Sequence, residues 1–420
     1  MSETMTQPEL EFQQRTDWAE SFVAQLARQP LISECVYHSP QRLDVSQKEV
    51  VDILLVLAGR AILLSLKCQE KPGSRPPEKE VGWVAKAAAG AARQIHGALR
   101  AMQANNFWCE HPHRGRVEFS ADELRVTQAV VLVESVNATT LASDLPLSLG
   151  GIPVSYFTVN DFCNILQELR TIPEIEAYLD ARHALPLDAL RLIGEEKALY
   201  EYYLLNNETF TGCLGQNDAR LVSAVRAAEL CSALARKAEA DKYAGLIEHV
   251  ADCLAERNPK YLDGLPEGYQ DNFDASTNRK NYLRMQEELC DLGLAGRSLL
   301  GQHFAHVMDK AEQAKRPAMT YAAVHNDEKP DIVYVFVSGR GEPRLELLER
   351  AKTLILGAIA FYEKRRGMAI VDRDSVSFEV FLFEVPSHSI TEFHVGERLF
   401  GQLSMAHIPA TLVPQKVPPH

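Results

Sequence analysis

The chain has 420 residues, is 46% hydrophobic and 24% charged, and carries a formal net charge of −13. That length fits two or three domains, and the composition is that of an ordinary globular protein. No apolar run approaches the ~20 residues of a membrane helix, the polar Met1–Gln14 lacks a signal-peptide core, and acidity spread over both halves excludes nucleic-acid binding by bulk charge, leaving only a local basic groove for that role.

The 8 cysteines are scattered and form no Cys-x-x-Cys pair, which predicts reduced thiols and a cytoplasmic setting. Trp18, Phe22, Val23 and Leu26 recur at helical spacing over residues 17–29, with Thr16 or Asp17 as cap and Pro30 as stop. Glu20 lies on this helix. Residues 31–38 read as a strand and 39–48 as a polar loop.

Residues 49–69 hold two apolar runs flanking Gly59-Arg60, which reads as two buried strands and a tight turn. A Gly59-Arg60 loop opposes Asp52 to Lys67 and Leu54 to Ser65. Side chains alternate faces along a strand, so Asp52, Ser65 and Lys67 share one face, with Glu49 just upstream. A one-residue change of loop length would separate them. A carboxylate and an ammonium on an otherwise apolar hairpin are costly unless paired or metal-bound. A plain cross-strand ion pair meets that need as well as a catalytic site does.

Residues 71–77 break the chain, and 81–104 form a long alanine-rich helix. Lys86, Arg93 and Arg100 recur every seven residues along it, either as phosphate contacts or as a solvated stripe. His96 lies beside them. Residues 106–116 read as a loop. Cys109, His111 and His113 are the nearest approach to a metal cluster, but their spacing suits no zinc module. Arg114 and Arg116 would let the same loop face an anion. Strands follow at 129–134 and 152–159, then a helix capped by Asn160 or Asp161 and running to Arg170.

This order and the Asp52…Ser65-Leu66-Lys67 arrangement resemble the restriction-endonuclease-like superfamily, the PD-(D/E)XK nucleases. The resemblance covers residues 15–170 and implies an α/β, mixed α+β, fold with an αβββαβ core. It makes Asp52 a metal ligand and Lys67 the catalytic lysine, with Gln69 accessory and Glu20 a further acid from the first helix. Ser65 stands where the pattern has Asp or Glu, and serine is a poor ligand for a hard cation. The resemblance therefore implies one loosely held Mg or Mn ion on Asp52, the Leu66 carbonyl and Ser65, with Glu49 or Glu20 replacing the missing acid. Lys86, Arg93, Arg100, Arg114 and Arg116 become the nucleic-acid contacts.

From 171 the sequence turns helical to 316: helices at 174–182 and 186–204, a polar loop at 206–218, one or two long helices over 218–257, and another over 278–315 broken near Gly293. His303 and His306 lie three apart without an evident third ligand. A small α+β unit is expected over 317–407, with strands at 331–338, 368–371 and 376–383 and a helix over 344–366. Ser338-Gly339-Arg340-Gly341 is a weak phosphate-loop echo lacking the Gly-Lys-Ser/Thr ending. Asp372 and Asp374 read as turn residues, and 408–420 as a flexible tail.

Three functions follow. The first is a metal-dependent endonuclease hydrolysing DNA, which the resemblance associates with bacterial defence against foreign DNA such as that of viruses. The second is a degenerate nuclease fold binding nucleic acid or a protein. The third is a scaffold whose Asp52–Lys67 pair is structural. No membrane partner is expected, and a homo-oligomer is left open.

Overall fold

The structure is a computed structural model that describes residues 22–23, 26, 28–43, 48–69, 76–104, 106–112, 114–135, 137–257, 275–314, 318–327, 329–340, 342–372 and 378–384. The expectations for Glu20 and most of its helix, for His113, for Asp374 and for the 408–420 tail lie outside the described residues. The chain is α/β, and it divides into two compact units, Met1–Ala235 and Arg236–His420. The helical stretch 171–316 is shared between them.

The first unit is built on a mixed sheet. Its strands are β1 (Val36–His38), β2 (Ile53–Leu57) and β3 (Arg60–Lys67), then, after the long helix α1 (Pro77–Ala104) and the hairpin β4 (Phe107–His111) and β5 (Gly115–Phe119), β6 (Arg125–Val133) and β7 (Ile152–Thr158). β1, β2 and β3 pair antiparallel, and β3, β6 and β7 run parallel in that order. A parallel β3–β6 pair requires a crossover, which α1 supplies. α1 covers one face, where Val84, Ala88, Ala91, Ile95 and Leu99 pack with Leu54, Ala61, Leu63, Ala129 and Val131. Each large aliphatic side chain buried there is worth ~1.5–3 kcal/mol. The helices α2 (Val159–Glu168) and α3 (Ile172–Arg182) cover the other face, where Phe162 meets Phe157 at 5.6 Å. The layers are therefore α/β/α.

The unit closes with α4 (Glu196–Leu205) and α5 (Gln216–Val225). Arg182 and Glu196, both fully buried, pair at 2.6 and 3.0 Å, and the Tyr178 hydroxyl donates to the same carboxylate at 2.8 Å. The Arg182 guanidinium also lies 4.5 Å over the Phe157 ring.

α6 (Ala227–Arg257) runs across the division. The second unit continues with α7 (Ala275–Cys290) and α8 (Leu294–Gln313), then β8 (Ala318–His325), β9 (Ile332–Arg340), α9 (Arg344–Phe361), β10 (Arg366–Asp372) and β11 (Phe378–Glu384). The strands form one sheet in chain order, with β9 and β10 parallel across α9. α9 buries Leu347, Ala351, Leu354 and Ile355 on one face. On the other, Phe304 of α8 stacks on Phe336 at 5.0 Å.

Several local expectations are corrected. Residues 30–33 form a helical turn rather than strand, because Pro30 starts it and Gln29 accepts both Ile32 N and Ser33 N. The hairpin turn is Ala58-Gly59, with Leu57 opposite Arg60. Both turn residues have positive φ, +49° and +77°, as a two-residue hairpin of this twist needs. The register thus slides by two residues, which leaves the faces unchanged. Residues 107–119 form a hairpin instead of a loop, with Phe107, Cys109 and His111 turned inward. Thr158, not Asn160 or Asp161, caps α2, its Oγ1 accepting from Asp161 N at 3.0 Å. The stretch 186–204 is broken by the short strand Leu192–Ile193.

In the second unit Ser338-Gly339-Arg340 is strand, not a phosphate loop. A Cβ on Gly339 would sit 2.5 Å from Leu347 Cδ1, so the glycine lets Leu347 of α9 pack directly on the strand. Asp372 is a buried strand end accepting from Ser338 Oγ at 2.7 Å, not a turn residue.

Candidate functional site

Alternation along β2 and β3 decides what meets α1. Leu54, Ala61 and Leu63 face the helix, so Asp52, Ser65 and Lys67 continue that face at the end of the hairpin. With the apolar contacts exhausted there, polar side chains must satisfy one another. Ser65, fully buried, donates its hydroxyl to Asp52 Oδ2 at 3.0 Å. The same carboxylate oxygen accepts from Leu66 N at 2.6 Å.

The residue that organises the group is Gln94 of α1. Its Nε2 donates to Asp52 Oδ1 at 3.0 Å. Its Oε1 accepts from Lys67 Nζ at 2.6 Å, and Ser65 Oγ lies 3.3 Å from the same oxygen. The Asp52–Lys67 juxtaposition is therefore bridged by an amide, each half of which meets the group it can bond. Sequence reasoning missed Gln94. The signal was one amide, ten residues before the helix ends, beside a face otherwise built of Ala, Val, Ile, Leu and Met.

Glu49 belongs to the same electrostatic group. Glu49 is exposed overall, but partial desolvation of its carboxyl first and the Asp52 charge second push it above the usual range, while a Ser39 hydrogen bond and Lys67 pull it back. The Asp52 charge thus disfavours the ionised form of Glu49, and a cation added beside the two would relieve that. The hard donors for one are Asp52, Glu49 and the Leu66 carbonyl, whereas the buried Ser65 hydroxyl is already committed to Asp52. Among the described residues no group of three or more His, Cys, Asp or Glu side chains forms a metal site.

Gln69 lies two residues beyond Lys67 in a second polar group. Its backbone N donates to Glu134 Oε2 at 2.7 Å, and its side-chain amide donates to Glu80 Oε1 and to the Glu134 carbonyl, the latter at 3.2 Å. Glu80 and Glu134 were not singled out from sequence.

The expected nucleic-acid contacts divide. Lys86, Arg93 and Arg100 are exposed on α1. Arg114 is instead buried, with Nη1 2.7 Å from the Tyr37 hydroxyl and Nε 3.5 Å from Glu34, because the hairpin that replaces the expected loop turns it into the core. Arg116 is exposed, stacked 4.4 Å over Trp108 and 3.0 Å from Glu118. The Cys109–His111 pair is structural: Cys109 Sγ donates to the His38 carbonyl at 2.7 Å, burial pushes its thiol up to about 11, and His111 packs 5.3 Å from the Tyr37 ring. Burial and its neighbour His306 lower the His303 pKa.

No helix among the described residues is long and apolar enough to cross a membrane. Comparison with family models, with curated proteins and with solved structures returned no match.

Proposed function

We propose that the first unit is a metal-dependent nuclease that hydrolyses DNA phosphodiester bonds. The observation that carries this reading is the convergence of Asp52 and Lys67 on Gln94 at the open end of β2 and β3, beside an exposed cationic helix. Asp52, Glu49 and the Leu66 carbonyl would hold Mg or Mn. When bound, such an ion supplies a Lewis acid for the phosphoryl oxygen and an activated water near neutral pH. Lys67, oriented by Gln94, would meet the charge that develops on the phosphate. Lys86, Arg93 and Arg100 would carry the flanking backbone. A cytoplasmic role in defence against foreign DNA belongs to the same proposal.

A second reading has its own observation. Ser65 fills the place of an acid, and the Asp52 carboxylate already accepts three hydrogen bonds. A fold that keeps this geometry for binding alone would look the same. Incubating the protein with linear, circular and single-stranded DNA in Mg and in Mn, beside Lys67→Ala, separates the two. Cleavage lost in the variant supports the nuclease. No cleavage in either metal, with binding retained, supports the binding module.

A further inference from the structure

A groove of about 530 Å³ opens along α1, between the helix and the loop that follows β6. Its floor is apolar: Ala85, Ala89 and Ala92 from the helix, and Leu145, Pro146 and Leu149 from the loop. Lys86, Arg93 and His96 stand on its rim, and Asp144 is the one acid lining it. The loop wall is held in place. Tyr156 donates its hydroxyl to the Pro146 carbonyl at 2.7 Å, and Arg191 Nη2 donates to the Ser143 carbonyl at 2.8 Å.

At about 100° per residue, Lys86 and Arg93 form a crest with Gln94 on one flank and His96 on the other. The Asp52–Lys67 group therefore lies down one side of the crest and the groove down the other. Residues 81–104 contain no Asp or Glu, in a chain whose net charge is −13. That local reversal of sign selects an anionic occupant. The apolar floor asks that the occupant also carry a flat or compact uncharged body. The volume suits a ligand of a few hundred cubic ångströms, far smaller than a duplex.

We propose that this groove takes one unpaired nucleotide of the strand carried by the α1 crest. The base lies against the Ala85, Ala89 and Pro146 floor, and its phosphate meets Lys86, Arg93 and His96. Asp144, at the rim, accepts a hydrogen bond from an exocyclic amine, which favours cytosine, adenine or guanine over thymine. A cationic track with an apolar base platform is the general design of single-strand binding. The inference rests on the nuclease reading for the direction of the strand, and it adds a substrate class: single-stranded or locally opened DNA.

The test is fluorescence anisotropy in EDTA with labelled oligo-dC, oligo-dT and a duplex of the same length, using the whole chain. Filling the groove with Ala89→Trp is expected to weaken oligo-dC binding by about tenfold, to leave duplex binding within twofold, and to leave the salt dependence unchanged. Arg93→Ala is expected to weaken all three and to reduce the salt slope by about one. Asp144→Ala is expected to erase the preference for dC over dT. Ala85→Trp serves as a second groove filler if Ala89→Trp lowers the melting temperature. Unchanged oligo-dC affinity in a folded groove filler overturns the proposal, as does equal competition by polyglutamate. If such a filler still cleaves like wild type, only the groove is refuted. If wild type neither binds nor cleaves any DNA, the nuclease reading falls and the groove proposal with it.

Discussion

Ser65→Asp puts an acid where the nuclease pattern has one, and its outcome depends on whether a cation can join. The Ser65 oxygen lies 3.0 Å from Asp52 Oδ2 and is fully buried. Two unit charges at that separation repel by about 5–6 kcal/mol at an effective dielectric of about 20. One of them therefore holds a proton or the fold weakens. Without metal the substitution is expected to cost ~2–4 kcal/mol, a fall of roughly 5–10 °C in Tm for a unit of this size. With metal the pair becomes a bidentate site, and a ligand at a hundredfold over its Kd returns about 2.7 kcal/mol. The assay is thermal melting at neutral pH in EDTA, Mg and Mn, with wild type alongside. Recovery in metal that exceeds any wild-type shift is the expected result. Equal metal shifts in the two proteins, or no loss in EDTA, would refute the reasoning.

Three further expectations concern the scaffold and its titration. Glu196→Ala leaves the buried Arg182 without its carboxylate and should cost ~3–5 kcal/mol by chemical denaturation; a loss below 1 kcal/mol would mean that water reaches Arg182. Because the Glu49 carboxyl is raised in the fold, its stabilising contribution is complete at acid pH and is lost as pH rises through its folded pKa. Glu49→Gln should therefore raise Tm at neutral pH and change little near pH 4, and a neutral-pH loss would contradict the assignment. In the second unit a Cβ on Gly301 would stand 2.0 Å from the Tyr243 carbonyl oxygen, so Gly301→Ala should cost ~2 kcal/mol or more; a wild-type denaturation midpoint would show that α6 and α8 can separate freely.

Legibility in the sequence followed periodicity. The α1 helix and its exposed Lys86, Arg93 and Arg100 were readable because a 3.6-residue repeat persists over many turns. The shared face of Asp52, Ser65 and Lys67 survived a wrong turn assignment because the error was two residues, the period of a strand. The β4–β5 hairpin was hidden by His and Pro at its turn. The edge strand β8 was hidden by small residues, Ala318, Ala322 and Ala323, that give little alternation. Gln94, Glu80 and Glu134 were missed for a common reason. Each becomes a site residue only through a partner distant in sequence, 42 residues away for Gln94 and Asp52 and 65 for Gln69 and Glu134. Single-sequence periodicity carries no such pairing.

The choice between a cleavage centre and a retained binding fold turns on whether Asp52 is a cation site or only the hydrogen-bond acceptor for Ser65, Leu66 and Gln94. Titration of Mn into wild type and into Asp52→Asn, followed by electron paramagnetic resonance, addresses it directly. One weak site in wild type that disappears in Asp52→Asn, with both proteins folded, is the predicted result. Identical Mn binding by the two proteins would contradict it.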